Sequence, residues 1–440
     1  MRRRACRSVH SCVAIDLRTI VALDEWLTQA ARRRPDHPAL LVDGGAVTYG
    51  ELDAAASRAA RRLAAMGVTA GDRVATTLPP GLAFCELLHA VPRLGAVFVP
   101  LDRRQPARPA ARVTIDEPPA GAEADVPLRT TVDPDAVHSV IHTSGTTGRP
   151  KPVELTYGNH YASALAAADA LGADPGDRWL CPLPLFHVGG LGVLIRSALG
   201  ATTAVLHPGF EARRVKAALE AGEATLASLV PTMLARLRAA GLGRTPALRA
   251  IALGGGPIPP DLLDWAAAAG VPVVPVYGMT ETSSQIVAGI PGRALRGVRL
   301  RVADDGELLA AGPMVARGAL APDGWLHTGD RARLDEAGLV HVEGRLKDLI
   351  VTGGENVSPL EVEGALLEHP AVKDAAVAGR PDPEWGEAVC AFVVLRDGAS
   401  AAELRDWCRD RLAPFKVPKR IEPVAALPRN AAGKLLRDRL

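Results

Sequence analysis

The segment Thr143-Ser144-Gly145-Thr146-Thr147-Gly148-Arg149-Pro150-Lys151 has the makings of a phosphate cradle. Gly145 and Gly148 let the backbone turn sharply and aim N–H groups inward. Ser144, Thr146 and Thr147 add hydroxyl donors, and Lys151 adds a positive charge. The order G-x-x-x-x-G-K-[ST] is absent, so this is not a Walker loop. A Gly/Thr-rich turn alone is often an ordinary polar hairpin. Here a strand-like Val140-Ile141-His142-Thr143 leads in, and Lys151 follows at a fixed step. A second group, Tyr277-Gly278-Met279-Thr280-Glu281, follows the apolar strand Val271–Val276. Strand ends are where ligands sit in open α/β sheets. Tyr277 can stack on a base, Thr280 can donate to a phosphate, and Glu281 can ligate Mg²⁺. Taken alone, these residues also read as a solvated turn. Third come Trp325–Asp330 and Gly344–Asp348. Asp330 suits two ribose hydroxyls, and Arg345 suits the same ribose or an α-phosphate; the plainer reading is a surface pair in a turn region. Fourth, Pro428–Lys434 places a lysine after a glycine turn, which is usually just exposed.

These groups need a scaffold. Leu52, Ala55, Ala59, Leu63 and Met66 recur at helical steps until Gly67 ends the run. Asp72–Thr76 reads as a strand, residues 82–95 as a helix and Gly95–Pro100 as a buried strand. Residues 103–136 read as surface connections and short edge elements. The alternation resumes from Ser139 to Val276, with strand-like Leu226–Val230 and Ala250–Leu253. The fold class expected is α/β: a large N-terminal domain over 21–345 with mostly parallel, αβ-layered sheets. Short strands at Val298–Val302, Gly306–Ala310 and Leu339–Glu343 predict a β-rich subdomain over about 292–345. Helices at 359–368 and 400–412 and a strand at 388–395 predict a small α+β domain over 346–440.

The bulk numbers exclude several classes. At 440 residues the chain is too long for one ordinary core. Hydrophobic residues are 48% and charged residues 23%, as in soluble globular proteins. The net charge of +2 gives no support for a nucleic-acid or membrane-surface role. Cys6, Cys12, Cys85, Cys181, Cys390 and Cys408 form no CxxC pair, against a disulfide framework or zinc site and in favour of a cytoplasmic setting. No apolar run approaches a membrane span. Arg2, Arg3, Arg4 and Arg7 with a short apolar stretch predict a disordered leader over 1–20 rather than a signal peptide.

The four groups, in this order and spacing, resemble the adenylate-forming superfamily of acyl-CoA synthetases, luciferases and peptide-synthetase adenylation domains. The resemblance runs from Asp24 to Lys434, and Gly254-Gly255-Gly256-Pro257, Gly353–Glu361 and Pro381–Glu387 add to it. It implies the substrates ATP, an acid and CoA, with Mg²⁺. It places the Thr143–Lys151 loop on the β- and γ-phosphates, Thr146 and Glu281 at the metal, and Gly254–Gly256 with Tyr277 around the adenine. Asp330 and Arg345 would bind ribose, and Lys434 would bridge carboxylate and α-phosphate. Lys347 would be the hinge of a mobile C-terminal lid, and Gly353, Gly354 and Glu355 would approach the pantetheine thiol. Two departures stand out. Pro152 replaces the usual glycine after the loop, removing an N–H. The segment between Gly318 and Trp325 is short.

Pro184-Leu-Phe-His187-Val-Gly-Gly-Leu followed by Arg196, and Met279–Gln285, look like the o-succinylbenzoate–CoA ligase family of menaquinone biosynthesis. His187 would then lie by the acyl carboxylate, although a histidine there also suits an ordinary core. Arg196 interrupts an apolar stretch and needs a partner or an exit to water. A guanidinium facing the second carboxylate of this diacid would discriminate against monoacids; the alternative is that it snorkels to the surface. Thr232, Ser283, Ser284 and Gln285 are further candidates for the acyl pocket. Other readings are a ligase for another acyl or aryl acid, a stand-alone adenylation enzyme that loads a carrier protein, and a non-catalytic relative. Lys434, Glu281 and Asp330 speak against the last. A homodimer is left open.

Overall fold

The computed structural model describes residues 23–42, 44–104, 110–144, 150–429 and 435–440. The expected leader therefore lies outside the described residues. Short, largely apolar runs form a parallel array: Ala250–Leu253, Leu226–Leu229, Arg178–Cys181, Thr203–Leu206 and Pro38–Val42 lie side by side. Strand Val273–Met279 extends this array. A second sheet has the order Val113–Ile115, Arg73–Thr76, Val97–Pro100, Val137–Ser144, Pro150–Thr156. One core fills the space between the two sheets. Phe98 and Ile141 from the smaller sheet and Leu40 and Leu206 from the larger enclose helical residues such as Leu63 and Leu194. Leu180 and Ile251 on the other face of the larger sheet pack against Leu219 and Leu234. With few aromatics, helices lie close by burying alanine: Ala56, Ala59 and Ala60 line the inner face of Tyr49–Ala65. Thr48 and Glu51 cap that helix reciprocally. Two expected inner-face positions differ: Ala55 is half-buried, and Met66 is 48% exposed beyond the helix end.

The antiparallel strands expected from about 292 to 345 begin at Ser284 and continue the parallel sheet, giving thirteen strands in one ladder. Strand Val273–Met279 makes the change. Ile251–Leu253 pair in parallel with Val273–Pro275, whereas Val276–Met279 run antiparallel to Ser284–Ala288, with a bulge at Tyr277/Gly278. Tyr277, Gly278 and Met279 are thus in the strand, not in a turn after it. Strand Leu326–Leu334, not expected from sequence, carries Asp330. Beyond Arg345 a five-stranded sheet with helices Pro359–Leu367 and Ala401–Arg409 has its own core around Val362, Val377 and Val393. No described helix is long and apolar enough to cross a membrane.

A buried charge network fixes the start of the larger unit. Arg93, 2% exposed, pairs with Glu25 at 3.0 Å and Asp53 at 2.6 Å. Burial pushes the Glu25 carboxyl up, but His89 and Arg93 outweigh it and hold the group at about 2. Its stabilisation is therefore complete above the ordinary carboxylate range and fades as pH falls toward 2. Arg93→Ala leaves two carboxylates without their cation and is expected to cost about 3–5 kcal/mol. Urea unfolding at pH 7 reads this directly, and an unchanged midpoint would show that the network is idle.

Candidate nucleotide and acyl site

Residues 145–149 and 430–434 lie outside the described residues, and with them Gly145, Thr146, Thr147, Gly148 and Lys434. What holds each segment is described. Strands Val137–Ser144 and Pro150–Thr156 pair antiparallel, with Thr143 opposite Lys151 and Ser144 opposite Pro150. The Thr143 hydroxyl donates to the Lys151 carbonyl at 3.3 Å. The ladder runs unbroken past Pro152, opposite His142. This is the edge strand of its sheet, where alternate residues turn their nitrogens to solvent, so proline is tolerated. For the second segment, Arg429 bridges Leu435, and the Leu436 N–H donates to the Pro428 carbonyl.

The best-defined constellation is Tyr277, Asp330 and Arg345. The Tyr277 hydroxyl donates to Asp330 Oδ2 at 2.7 Å, and Arg345 Nε lies 2.9 Å from Asp330 Oδ1. Arg345 also donates to the Thr328 carbonyl at 3.0 Å. Burial, then the Asp330 charge, raise the Tyr277 pKa, so the phenol keeps its proton. A carboxylate on the inner face of strand Leu326–Leu334 is thus held by the Tyr277 hydroxyl, from a strand further along the same sheet, and by Arg345. Glu281, two residues past strand Val273–Met279, is half-buried, and its carboxylate has no partner among the described residues. Thr280 is half-buried beside it. No group of three or more metal-ligating side chains occurs among the described residues. A lone free carboxylate suits Mg²⁺, which commonly takes one or two carboxylates together with substrate phosphates.

Two glycines sit where no side chain fits. A Cβ at Gly254 would lie 2.6 Å from the Val276 carbonyl oxygen, and one at Gly278 would lie 1.9 Å from that of Ser284. The backbones cross this closely because the sheet changes sense here. Gly255 has φ +83°, and Gly256 is open to solvent. The same crossing puts Ser283 at φ 52° and Ser284 at φ 106°. Such conformations in side-chain-bearing residues are costly and concentrate at functional sites.

The acyl candidates divide. His187 precedes helix Val188–Gly200, lies with its ring 4.5 Å from that of Phe186 and tilted 55° to it, and is held below its usual pKa by burial. Thr232 stands half-buried in the first turn of Pro231–Ala239. Ser283 donates to the Met314 carbonyl at 3.0 Å. Gln285 is 3% exposed, and its amide nitrogen has no hydrogen-bond partner among the described residues. Arg196 does not snorkel: it is 8% exposed, within helix Val188–Gly200. Its guanidinium lies 5.6 Å above the Trp179 ring and meets no carboxylate among the described residues. Burial lowers its pKa to about 10, so it remains charged at neutral pH. Sequence alone missed Trp179 and Ser163, which hold this arginine.

Lys347 is exposed in a single 3-10 turn, Leu346–Asp348. Asp348 on its far side pairs with Arg437 at 3.3 Å, and Arg437 also forks onto both oxygens of Glu363. Gly353 and Gly354, with φ +58° and +84°, form the two-residue loop of a hairpin in which Thr352 faces Glu355. That geometry explains both glycines as turn formers. Exposed Trp385 packs on the hairpin, with Lys419 Nζ 4.4 Å above its ring.

A sheet that reverses sense at a half-buried carboxylate, with a tyrosine–aspartate–arginine set beside it, is the frame of an adenylate-forming enzyme. The chain belongs to the AMP-binding enzyme family: residues 27–119 and 109–320 match it, and 361–434 match the AMP-binding enzyme C-terminal domain. It is 37% identical to 2-succinylbenzoate–CoA ligase of Bacillus subtilis (strain 168), over 94% of this chain and 97% of that protein. The o-succinylbenzoate CoA synthetase of B. subtilis has been solved with the acyl-adenylate intermediate. It aligns with TM-score 0.88 at 36% identity, covering 95% of this chain and 98% of that one. The same synthetase with ATP and magnesium ion aligns with TM-score 0.88 at 36% identity, covering 95% and 99%.

Proposed function

We propose that the chain is an AMP-forming acid–CoA ligase that converts 2-succinylbenzoate, ATP and CoA to the acyl-CoA, AMP and diphosphate through an acyl-adenylate, in the cytoplasmic menaquinone pathway. One observation carries the choice of acid. Arg196 is a buried cation that meets no carboxylate among the described residues. An uncompensated buried charge is expensive unless a ligand supplies the counter-charge. A diacid does so with the carboxylate that is not activated.

The remaining roles follow from position. Asp330 and Arg345 would receive the ribose, with Tyr277 beside the adenine. The Thr143–Lys151 loop would take the β- and γ-phosphates, and Glu281 with Thr146 would hold Mg²⁺, which supplies charge neutralisation between nucleotide and acid. Lys434 would screen the approach of carboxylate to α-phosphate, the step in which two anions must meet. His187 would border the reacting carboxylate. Lys347 would be the hinge that lets residues 346–440 change position between half-reactions, with the Gly353–Glu355 hairpin facing the thiol afterwards.

The test is CoA-thioester formation with 2-succinylbenzoate, benzoate and a fatty acid compared by kcat/KM. The diacid is expected to lead by at least two orders of magnitude, in line with a buried polar contact unmet in the others. Comparable rates would refute the assignment of the acid, and AMP release only with a carrier protein would favour the carrier-loading reading.

A further inference from the structure

Ser163 lies on the buried face of helix Tyr157–Leu171 and is 2% exposed. Its hydroxyl proton goes to the Ser283 carbonyl at 2.8 Å. Its lone pair receives Arg196 Nη2 at 3.3 Å, the single hydrogen bond of that guanidinium among the described residues. With its one proton committed, Ser163 turns only an acceptor toward Arg196. The other constraint on Arg196 is Trp179, whose indole N–H is fixed to the Ser228 hydroxyl at 3.0 Å. The guanidinium is thus pinned on one face and at one corner. It has five N–H donors, so most of its fork remains to meet a ligand. Ser163 also grips the Ser283 carbonyl of the strained pair Ser283–Ser284, so one hydroxyl joins the arginine to that turn.

We propose that Ser163 is a specificity-determining positioning residue, which holds the Arg196 guanidinium in register with the second carboxylate of the substrate. This rests on the diacid reading above. A purely structural Ser163 would satisfy the buried Ser283 carbonyl and nothing more, and its loss would affect every acid alike.

The experiment is a double-mutant cycle of Ser163→Ala and Arg196→Ala in the full chain. KM and kcat are measured for 2-succinylbenzoate and for the monoacid analogue that keeps only the activated carboxylate, with KM for ATP alongside. Ser163→Ala is expected to raise KM for the diacid about tenfold, the loss of one charge-assisted hydrogen bond. The monoacid and ATP values are expected to hold, which also reports that the variant is folded. In the Arg196→Ala background the same change is expected to add nothing, because the two residues act as one unit. Ser163→Thr, which keeps the hydroxyl, is expected to stay within twofold to threefold of the parent. If Arg196→Ala is diacid-specific while Ser163→Ala is silent or hits both acids equally, the proposal on Ser163 falls and the diacid reading stands. If Arg196→Ala is not diacid-specific, both fall.

Discussion

Lys434→Ala is expected to reduce acid-dependent pyrophosphate exchange about a thousandfold, while thioester formation from supplied acyl-adenylate is largely retained. Removing one preorganised charge from the developing transition state commonly costs 10²–10³ or about 3–4 kcal/mol. Two full anions approach each other only in the first half-reaction, so the loss belongs there. The flanks of this lysine are well anchored. Arg429 forks onto Asp374 at 2.9 and 3.0 Å, and Arg437 forks onto Glu363 three residues beyond Lys434. Both half-reactions falling together would remove Lys434 from this role.

Arg196→Ala is expected to raise KM for 2-succinylbenzoate about a hundredfold and to leave a monoacid nearly unchanged. Truncating one partner of a buried, hydrogen-bonded charge pair costs about 2–5 kcal/mol, and 2.7 kcal/mol is roughly a hundredfold. The free protein, by contrast, is expected to be no less stable, because the arginine is charged, buried and without an acidic partner among the described residues. Undiminished unfolding stability together with weaker diacid binding is a pattern that a packing arginine would not give. Thermal unfolding with and without the diacid separates the two.

Much of the scaffold was legible because its strands are short apolar runs between capped helices, such as Ala250–Leu253 and Leu226–Leu229. Two functional strands were hidden for a physical reason. Leu326–Leu334 points Leu326, Thr328, Asp330 and Ala332 inward, and a buried aspartate breaks the apolar alternation that marks a strand. Val273–Met279 is half-buried throughout and contains Gly278 at the crossing, so it reads as a strand followed by a turn. The nucleotide residues were legible as local clusters, and Tyr277, Asp330 and Arg345 do converge. Glycines 353 and 354 were legible as a motif, but their conformation serves a hairpin. Ser163 gave no local signal. Its partners lie 33 and 120 residues away, and a serine on an alanine-rich helix has no distinguishing neighbours.

With Lys347 as the proposed hinge, the ties on either side of it would set the number of ways in which the C-terminal unit turns. Arg345 is fastened to Asp330 and Thr328, so the chain before the turn would move with the large sheet. Asp348 is fastened to Arg437, which Glu363 grips, so the chain after it would move with the small sheet. Leu346 and Lys347 alone lie between, and with two soft torsions each they offer four angles. A joint with four torsions has few sterically allowed settings. It would act less like a tether than like a detent, stepping between a small number of stops.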